Sequence, residues 1–178
     1  EQVKEIISFA IRGNVQLVPS GGRTGLSGGA VASNGEIVVS FDWMNAIKSF
    51  NASDKIVTCE PGLITADLQT FAKEQGFFYP VDFASAGSSQ IGGNVATNAG
   101  GIKVIRYGLT RDWVAGLKVV TGTGHLLDCN FGLVKNATGY DFRHLMIGSE
   151  GTLGLIVEVD IRLTSLPPPQ MVMVLAVE

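Results

Sequence analysis

The segment from Pro19 to Gly29, PSGGRTGLSGG, carries five glycines and almost no bulky side chain. Glycine reaches positive φ and permits close approach of the main chain, so successive amide N–H groups can converge on an anion. The amides of residues 21–25 could surround a phosphate, with extra donors from Thr24, Ser27 and Arg23. A diphosphate fits this set best, although a tight connection between two strands would explain an isolated glycine loop equally well.

Two further glycine-rich segments favour the ligand over the tight connection. Residues 88–101 read SSQIGGNVATNAGG, and residues 148–154 read GSEGTLG. In the first of these, Asn94, Thr97 and Asn98 supply polar groups that can bond to carbonyls, ring nitrogens and hydroxyls of a cofactor. Three such segments at wide separation predict one long ligand that the main chain contacts at several places. A mononucleotide would need fewer contacts.

Common phosphate and metal motifs are missing from the sequence. No GxxxxGK[ST] occurs, and the best GxGxxG candidate, which starts at Gly122, has Leu127 where the third glycine belongs. His125 and His144 lack metal-ligand spacing and are expected at the surface or half-buried. The sequence therefore predicts no metal site and identifies no catalytic residue. Glu150, between two glycines, is the acid of greatest interest, with a simple helix or turn contact as the alternative.

Composition narrows the class of protein further. The chain has 178 residues, of which 46% are hydrophobic and 16% charged, which argues for a folded domain with a real core. A net charge of -3 with scattered Lys and Arg gives no reason to expect a nucleic-acid partner, and no apolar run approaches the ~20 residues of a membrane helix. Cys59 and Cys129 are expected to be reduced core residues. A first residue other than Met predicts that the chain is part of a longer protein.

The apolar pattern predicts helices and strands without a regular βαβ alternation, which favours an α+β fold. Helices are expected over 3–11, ended by Gly13 and Asn14, from an N-cap at Thr65 to Gly76, and over 91–96 and 140–148. Strands are expected over 15–18, 36–41, 46–51, 55–60, 115–129 as a hairpin, 152–163 and 171–178. Ion pairing by Arg106, Arg111 and Asp112 is expected to orient the long loop of residues 77–101.

Four ordered motifs carry a family resemblance: PSGGRTGLSGG, IGGNVATNAGG, RYGLTRD and NATGYDFRHLMIGSEGTLGLI. Together they resemble the PCMH-type FAD-binding domain of the FAD-linked oxidases related to vanillyl-alcohol oxidase, and most of all its D-lactate, glycolate and D-2-hydroxyglutarate dehydrogenase branch. The likeness covers about residues 3–170. It implies two α+β subdomains with FAD between them, over 1–57 and 58–170. A C-terminal cap or substrate domain would then begin at 171–178.

The resemblance also implies which residues bind FAD. The pyrophosphate would lie against Gly21, Gly22, Arg23, Thr24 and Gly25, helped by Gly28 and Gly29. The ribityl and flavin part would lie along Pro80, Asp82, Ser88, Gly92, Gly93, Asn94, Thr97, Asn98 and Gly101, with Glu150, Gly151 and Ile156 on the far side. Members that attach FAD covalently often have His in a GGH pattern where this sequence has Arg23, so non-covalent FAD is expected.

The reaction implied by the family is oxidation of a small 2-hydroxy acid. A hydride leaves C2 for the flavin, a base takes the hydroxyl proton, and a quinone or carrier protein accepts the electrons. The cap domain usually supplies the arginine, the base and any metal-binding histidines, so this chain alone is expected to be inactive. Its expected location is cytoplasmic, peripheral to a membrane at most. Two alternatives stay open: another FAD oxidoreductase on this scaffold, such as an aldonolactone or sugar oxidase, and a non-catalytic nucleotide-binding module.

Overall fold

The computed structural model describes residues 1–129, 137–169, 171 and 173–175. Helices and strands alternate irregularly along the chain, as expected for an α+β fold. The helices are α1 (Gln2–Gly13), α2 (Thr65–Glu74), α3 (Ile91–Ala96), α4 (Val104–Tyr107) and α5 (Phe142–Met146), with a 3-10 turn at Thr110–Trp113. The strands are β1 (Leu17–Ser20), β2 (Ile37–Ser40), β3 (Ile47–Asn51), β4 (Ile56–Cys59), β5 (Phe77–Phe78), β6 (Val114–Thr121), β7 (Leu126–Asp128), β8 (Gly154–Arg162) and β9 (Thr164–Ser165).

An antiparallel sheet of order β3-β4-β8-β6-β7 forms the centre of the structure. Alternating residues of β6 and β8, such as Leu117 and Val159, enter one hydrophobic core with Leu68 of α2 and Val95 of α3. That core positions α3 over the sheet, because burying these apolar surfaces is the main favourable term in folding. The predicted boundary between subdomains after residue 57 stays a prediction.

A parallel pair, β1 and β2, stands apart from the large sheet. A second apolar cluster joins it to α1 and to the end of β6 and β8, through Ile7, Val39, Phe41, Val120 and Leu155. Parallel neighbours need a crossover rather than a tight hairpin. The crossover here is residues 21–36, which include the first glycine-rich segment.

The α1 helix ends as the sequence predicts, but the following strand begins later than expected. Asn14 adopts φ 49°, and the Val15 N–H donates to the Ala10 carbonyl at 2.9 Å. This capping arrangement keeps Val15 within the helix terminus. The strand predicted over 15–18 is consequently Leu17–Ser20.

The N-cap of α2 is Ile64, so the predicted N-cap role of Thr65 is wrong. Thr65 is the first helical residue, and its buried hydroxyl lies 2.8 Å from the Ser89 hydroxyl. The side chain therefore connects α2 to the segment before α3 instead of capping its own helix.

Very short elements and the end of the chain also differ from the sequence-based prediction. The β5–β9 pair and α4 are too short to leave a periodic signal. Met171 and residues 173–175 are not in a strand, and the remaining positions of the predicted 171–178 strand lie outside the described residues. Within the described ranges, no helix has the length and apolar character needed to span a membrane.

The predicted ion pairs around RYGLTRD are not found in the described part of the chain. Asp112 instead accepts from the Leu109 N–H at 2.8 Å, and the Arg106 guanidinium lies 5.1 Å from the Tyr107 ring centroid. The Arg111 amide donates to Asn98 Oδ1 at 3.1 Å. Hydrogen bonds to the main chain and a contact with an aromatic ring therefore take the place of the predicted ion pairs.

Candidate functional site

The three glycine-rich segments meet around one cleft of about 410 Å³. Its size falls within the ~300–1,000 Å³ range of small-molecule sites. The crossover between β1 and β2 forms one wall, α3 and the residues before it form a second, and the turn leading into β8 forms the third. Segments far apart in sequence therefore face a common space.

Glycine lets the first wall lie directly on the second. A Cβ added to Gly22 would overlap the main-chain carbonyl oxygen of Ser88, and one on Gly21 would lie 3.3 Å from Gln90 Oε1. The contact between the crossover and the α3 segment thus depends on bare backbone at Gly22, whereas a Cβ at Gly21 would only make a tight contact with a side chain.

The third wall is hydrogen-bonded to the C-terminal end of α3. The Gly148 N–H donates to the Val95 carbonyl at 3.1 Å, and the Glu150 N–H donates to the Ala96 carbonyl at 2.9 Å. Glu150 itself has φ 50°, which places its side chain toward the first wall. A Cβ on Gly29 would lie 3.0 Å from Glu150 Oε2, so the carboxylate lies beside the middle of the crossover.

The α3 helix also packs closely against the chain below it. A Cβ on Gly92 would overlap Pro61, and the Gly92 N–H donates to the Pro61 carbonyl at 2.7 Å. The Asn94 Nδ2 donates to Thr65 Oγ1 at 2.7 Å, and the Thr97 hydroxyl donates to the Gly93 carbonyl at 3.0 Å. Both side chains line the cleft, but part of their hydrogen-bonding capacity serves the fold.

The backbone amides of residues 21–25 differ from those of the neighbouring strand β1. Among the described residues, none of the N–H groups of residues 21–25 donates a hydrogen bond to another protein group. Arg23 in their midst has φ 56°. Consecutive amides without protein partners next to a left-handed residue are the backbone groups from which an anion-binding concavity can be built. This wall can therefore bind the diphosphate of a dinucleotide.

Most residues predicted to bind FAD line the cleft: Gly21, Gly22, Arg23, Thr24, Gly25, Gly28, Gly29, Gly92, Gly93, Asn94, Thr97, Glu150, Gly151 and Ile156. The others, which do not line it, are Pro80, Asp82, Ser88, Asn98 and Gly101. The Ser88 carbonyl packs against Gly22, and Asn98 Oδ1 accepts a hydrogen bond from the Arg111 amide. Asp82 pairs with Lys103 Nζ at 3.2 Å. That the residues of either group bind FAD stays a prediction.

Gln90 is a cleft residue that the sequence analysis did not identify. It is 5% exposed, its Nε2 donates to Asp42 Oδ1 at 2.7 Å, and its Oε1 has no hydrogen-bond partner among the residues that the structure describes. Its position immediately before the IGG of α3 was the available signal. Hydrogen bonds from Ser40 and Gln90, together with the charge of Arg23, hold the pKa of Asp42 below its usual range.

The residues of the cleft fit FAD. The unpaired amides suit a diphosphate, the buried Gln90 oxygen suits a hydroxyl or N–H donor, and Phe41, Phe83 and Ile156 offer apolar surface for a ring. No histidine, cysteine or tyrosine of the described residues lines the cleft. His125 and His144 are exposed elsewhere, as the sequence predicts. Cys59 and Cys129 are buried and free, which confirms the prediction for both thiols.

Comparisons with known proteins agree with this geometry. Residues 1–130 match the family model described as FAD binding domain. The D-2-hydroxyglutarate dehydrogenase of Stutzerimonas stutzeri (strain A1501) is 65% identical over 167 residues, which are 94% of this chain and 36% of that protein. The mitochondrial D-2-hydroxyglutarate dehydrogenase of Arabidopsis thaliana is 44% identical over 161 residues, 90% of this chain and 29% of that protein.

A solved structure of alkyldihydroxyacetonephosphate synthase shares the fold. The two structures superpose with a TM-score of 0.81 at 27% sequence identity. The superposed part is 94% of this chain and 31% of the synthase chain. The chain spans about a third of the length of the relatives it matches. Since the family model covers well over half of the chain, the protein belongs to the FAD binding domain family, with the PCMH-type fold of the FAD-linked oxidases.

Proposed function

We propose that this chain is the FAD-binding part of a flavin-dependent dehydrogenase that oxidises a 2-hydroxy acid, with D-2-hydroxyglutarate as the substrate. The observation that carries the proposal is the row of unpaired amides at residues 21–25, on one wall of a cleft that Phe41, Phe83 and Ile156 also line. The choice of substrate rests on relatives at 61–65% identity that bear the name D-2-hydroxyglutarate dehydrogenase.

Each wall of the cleft has its own task in this proposal. The residues 21–25 amides and Arg23 bind the diphosphate, while Gly92, Gly93 and Thr97 lie along the ribityl and flavin part. Glu150 and Ile156 close the far side. When bound, FAD supplies the two-electron oxidant for removal of hydride from C2 of the hydroxy acid. Because none of the described cleft-lining side chains could attach flavin covalently in the manner of a histidine, cysteine or tyrosine, FAD is held non-covalently.

The proposal assigns substrate recognition and proton removal to parts of the protein beyond this chain. Arg23 and Glu150 are the charged side chains that line the described cleft, and the first is already paired with Asp42 at 3.8 Å. The chain alone would therefore bind FAD and turn over no hydroxy acid. The electron acceptor, a quinone or a carrier protein, and the cytoplasmic location stay predictions.

Anaerobic mixing tests the function directly. The full-length protein loaded with FAD should lose its visible flavin absorbance on addition of D-2-hydroxyglutarate, more readily than with D-lactate or glycolate. Reoxidation by a quinone analogue or by a carrier protein then identifies the acceptor class. Flavin that stays oxidised with all three acids would overturn the proposed reaction, and a protein that binds no FAD would overturn the cofactor.

A further inference from the structure

We propose that Gln90 is a positioning residue whose carboxamide oxygen accepts a hydrogen bond from a ribityl hydroxyl of bound FAD. The inference rests on the proposed function, since it assigns one further contact within the same cleft. Gln90 lines the cleft, is 5% exposed and has an Oε1 atom that no described part of the chain supplies with a hydrogen bond. A buried carbonyl-type oxygen that accepts no hydrogen bond destabilises the protein, so a ligand that donates a hydrogen bond here would remove that penalty.

Asp42 fixes which end of the carboxamide faces the cleft. Its Oδ1 takes the hydrogen bond from Gln90 Nε2 at 2.7 Å. An ionised carboxylate only accepts, and the lowered pKa keeps Asp42 ionised at neutral pH. The NH₂ group must therefore face Asp42, which leaves Oε1 on the opposite side. Arg23, with its guanidinium 3.8 Å from Asp42, adds charge that favours the same state.

The first glycine segment keeps this oxygen accessible. A Cβ on Gly21 would lie 3.3 Å from Gln90 Oε1, closer than ordinary contact, so a side chain there would crowd the acceptor. The same glycine begins the row of unpaired amides that suits a diphosphate. The diphosphate of FAD joins two groups that carry hydroxyls, the ribose of adenosine and the ribityl chain. Gln90 directly precedes α3, whose residues Gly92, Gly93 and Thr97 are proposed to lie along the ribityl and flavin part, so we assign the donor to the ribityl chain.

Binding measurements on full-length apoprotein separate this contact from its alternatives. The variants are Gln90→Met, which removes the acceptor at similar volume, and Gln69→Met as the matched control. Gln69 donates from Nε2 to the Val81 carbonyl at 3.0 Å and does not line the cleft. Dissociation constants are measured for FAD, for FMN, which keeps the ribityl chain, and for ADP, which lacks it. Melting temperatures of the apoproteins report folding.

We expect Gln90→Met to raise the dissociation constants of FAD and FMN by about 3- to 10-fold, the range of one neutral hydrogen bond. The dissociation constant of ADP should stay within about 2-fold of the wild-type value. Gln69→Met should leave all three affinities unchanged. Asp42→Asn should weaken FAD as well, because an amide at position 42 no longer dictates the orientation of Gln90.

Two results would overturn the assignment while leaving the proposed function intact. Gln90→Met protein that binds FAD as tightly as wild type would show that Oε1 receives no donor from the cofactor. An equal loss of affinity for FAD and ADP would show that the substitution affects a part of the site other than the one that binds the ribityl chain. Wild-type protein that binds no FAD would instead reject the proposed function itself.

Discussion

Gly22 lies directly against the main-chain carbonyl of Ser88, whereas a Cβ added to Gly25, three residues further along, would have no described atom within 4 Å. A Cβ on Gly22 would overlap the Ser88 oxygen and lie 3.0 Å from Ser89 Cα. The two glycines thus differ in function although they belong to one motif. Gly22 allows the walls of the cleft to approach, and Gly25 leaves room inside it.

Gly22→Ala should destabilise the protein by about 1–3 kcal/mol, because the added methyl group meets backbone atoms that cannot rotate away. FAD affinity should fall with it, since the first wall must move. Gly25→Ala is the matched control and should change the unfolding free energy by less than about 0.5 kcal/mol. Urea denaturation of both variants measures the difference. Equal losses would contradict the close approach at Ser88.

Gly151→Ala should lower the stability of the folded protein more than Gly124→Ala does, although both glycines have φ near 80°. The left-handed conformation alone costs an alanine about 1–2 kcal/mol. An added Cβ at Gly124 would have no atom of the described residues within 4 Å, whereas at Gly151 it would overlap Pro19 Cγ. Thermal denaturation of the two variants isolates the steric part. Identical melting temperatures would show that Pro19 yields without cost.

Glu158 connects three strands through Lys118 of β6 and Lys48 of β3, and its side chain is 14% exposed. Burial opposes ionisation of Glu158, but hydrogen bonds and charge from Lys118 and Lys48 outweigh it, so its pKa is lowered. A carboxylate with a lowered folded pKa stabilises the fold above its unfolded pKa, and this stabilisation is lost as pH falls through the folded value.

Glu158→Gln should therefore cost about 1–2 kcal/mol at pH ~7 and progressively less as the solution is acidified below pH ~4. Urea denaturation across this range measures the convergence of variant and wild type. Glu74→Gln, at an exposed helix position, provides the control and should show no such pH dependence. A constant difference at every pH would argue against the two ion pairs.

Neither cysteine should react with a thiol reagent in the native protein. Burial raises the pKa of Cys59 to about 12, and the nearby Asp160 and Glu158 charges add to the effect. Burial also raises the pKa of Cys129. Since the thiolate is the reactive form, both should react with Ellman's reagent only after denaturation. Rapid labelling of the folded protein would show that one thiol is accessible.

Acid precipitation should release all flavin from the holoprotein into the supernatant, because the described cleft offers Arg23 where covalent members often have histidine. Absorption spectra of pellet and supernatant measure the partition. Free FAD carried through the same procedure is the control for adsorption. Flavin that remains with the washed pellet would reveal a covalent bond.

Local signals along the chain were sufficient for much of the fold. Helix ends with Gly13, Asn14 and Gly76 follow from residues that adopt left-handed or unrestricted backbone angles, and these ends are observed. The β3–β4 and β6–β7 hairpins follow from alternation and turn residues. The pairing of β5 with β9 and of β1 with β2 could not be predicted, because the sequence of a short segment does not indicate which distant strand it pairs with.

The sequence by itself determined that three glycine-rich segments would supply bare main chain, since only glycine permits such approach at positions like Gly22 and Gly151. Which of their groups face the cleft was decided by tertiary structure. Packing of α3 directs the Asn94 amide nitrogen to Thr65 and leaves Gln90 Oε1 without a hydrogen bond from any described residue. Residue type fixes what a group can donate or accept, but its direction depends on neighbours brought together only by the folded chain.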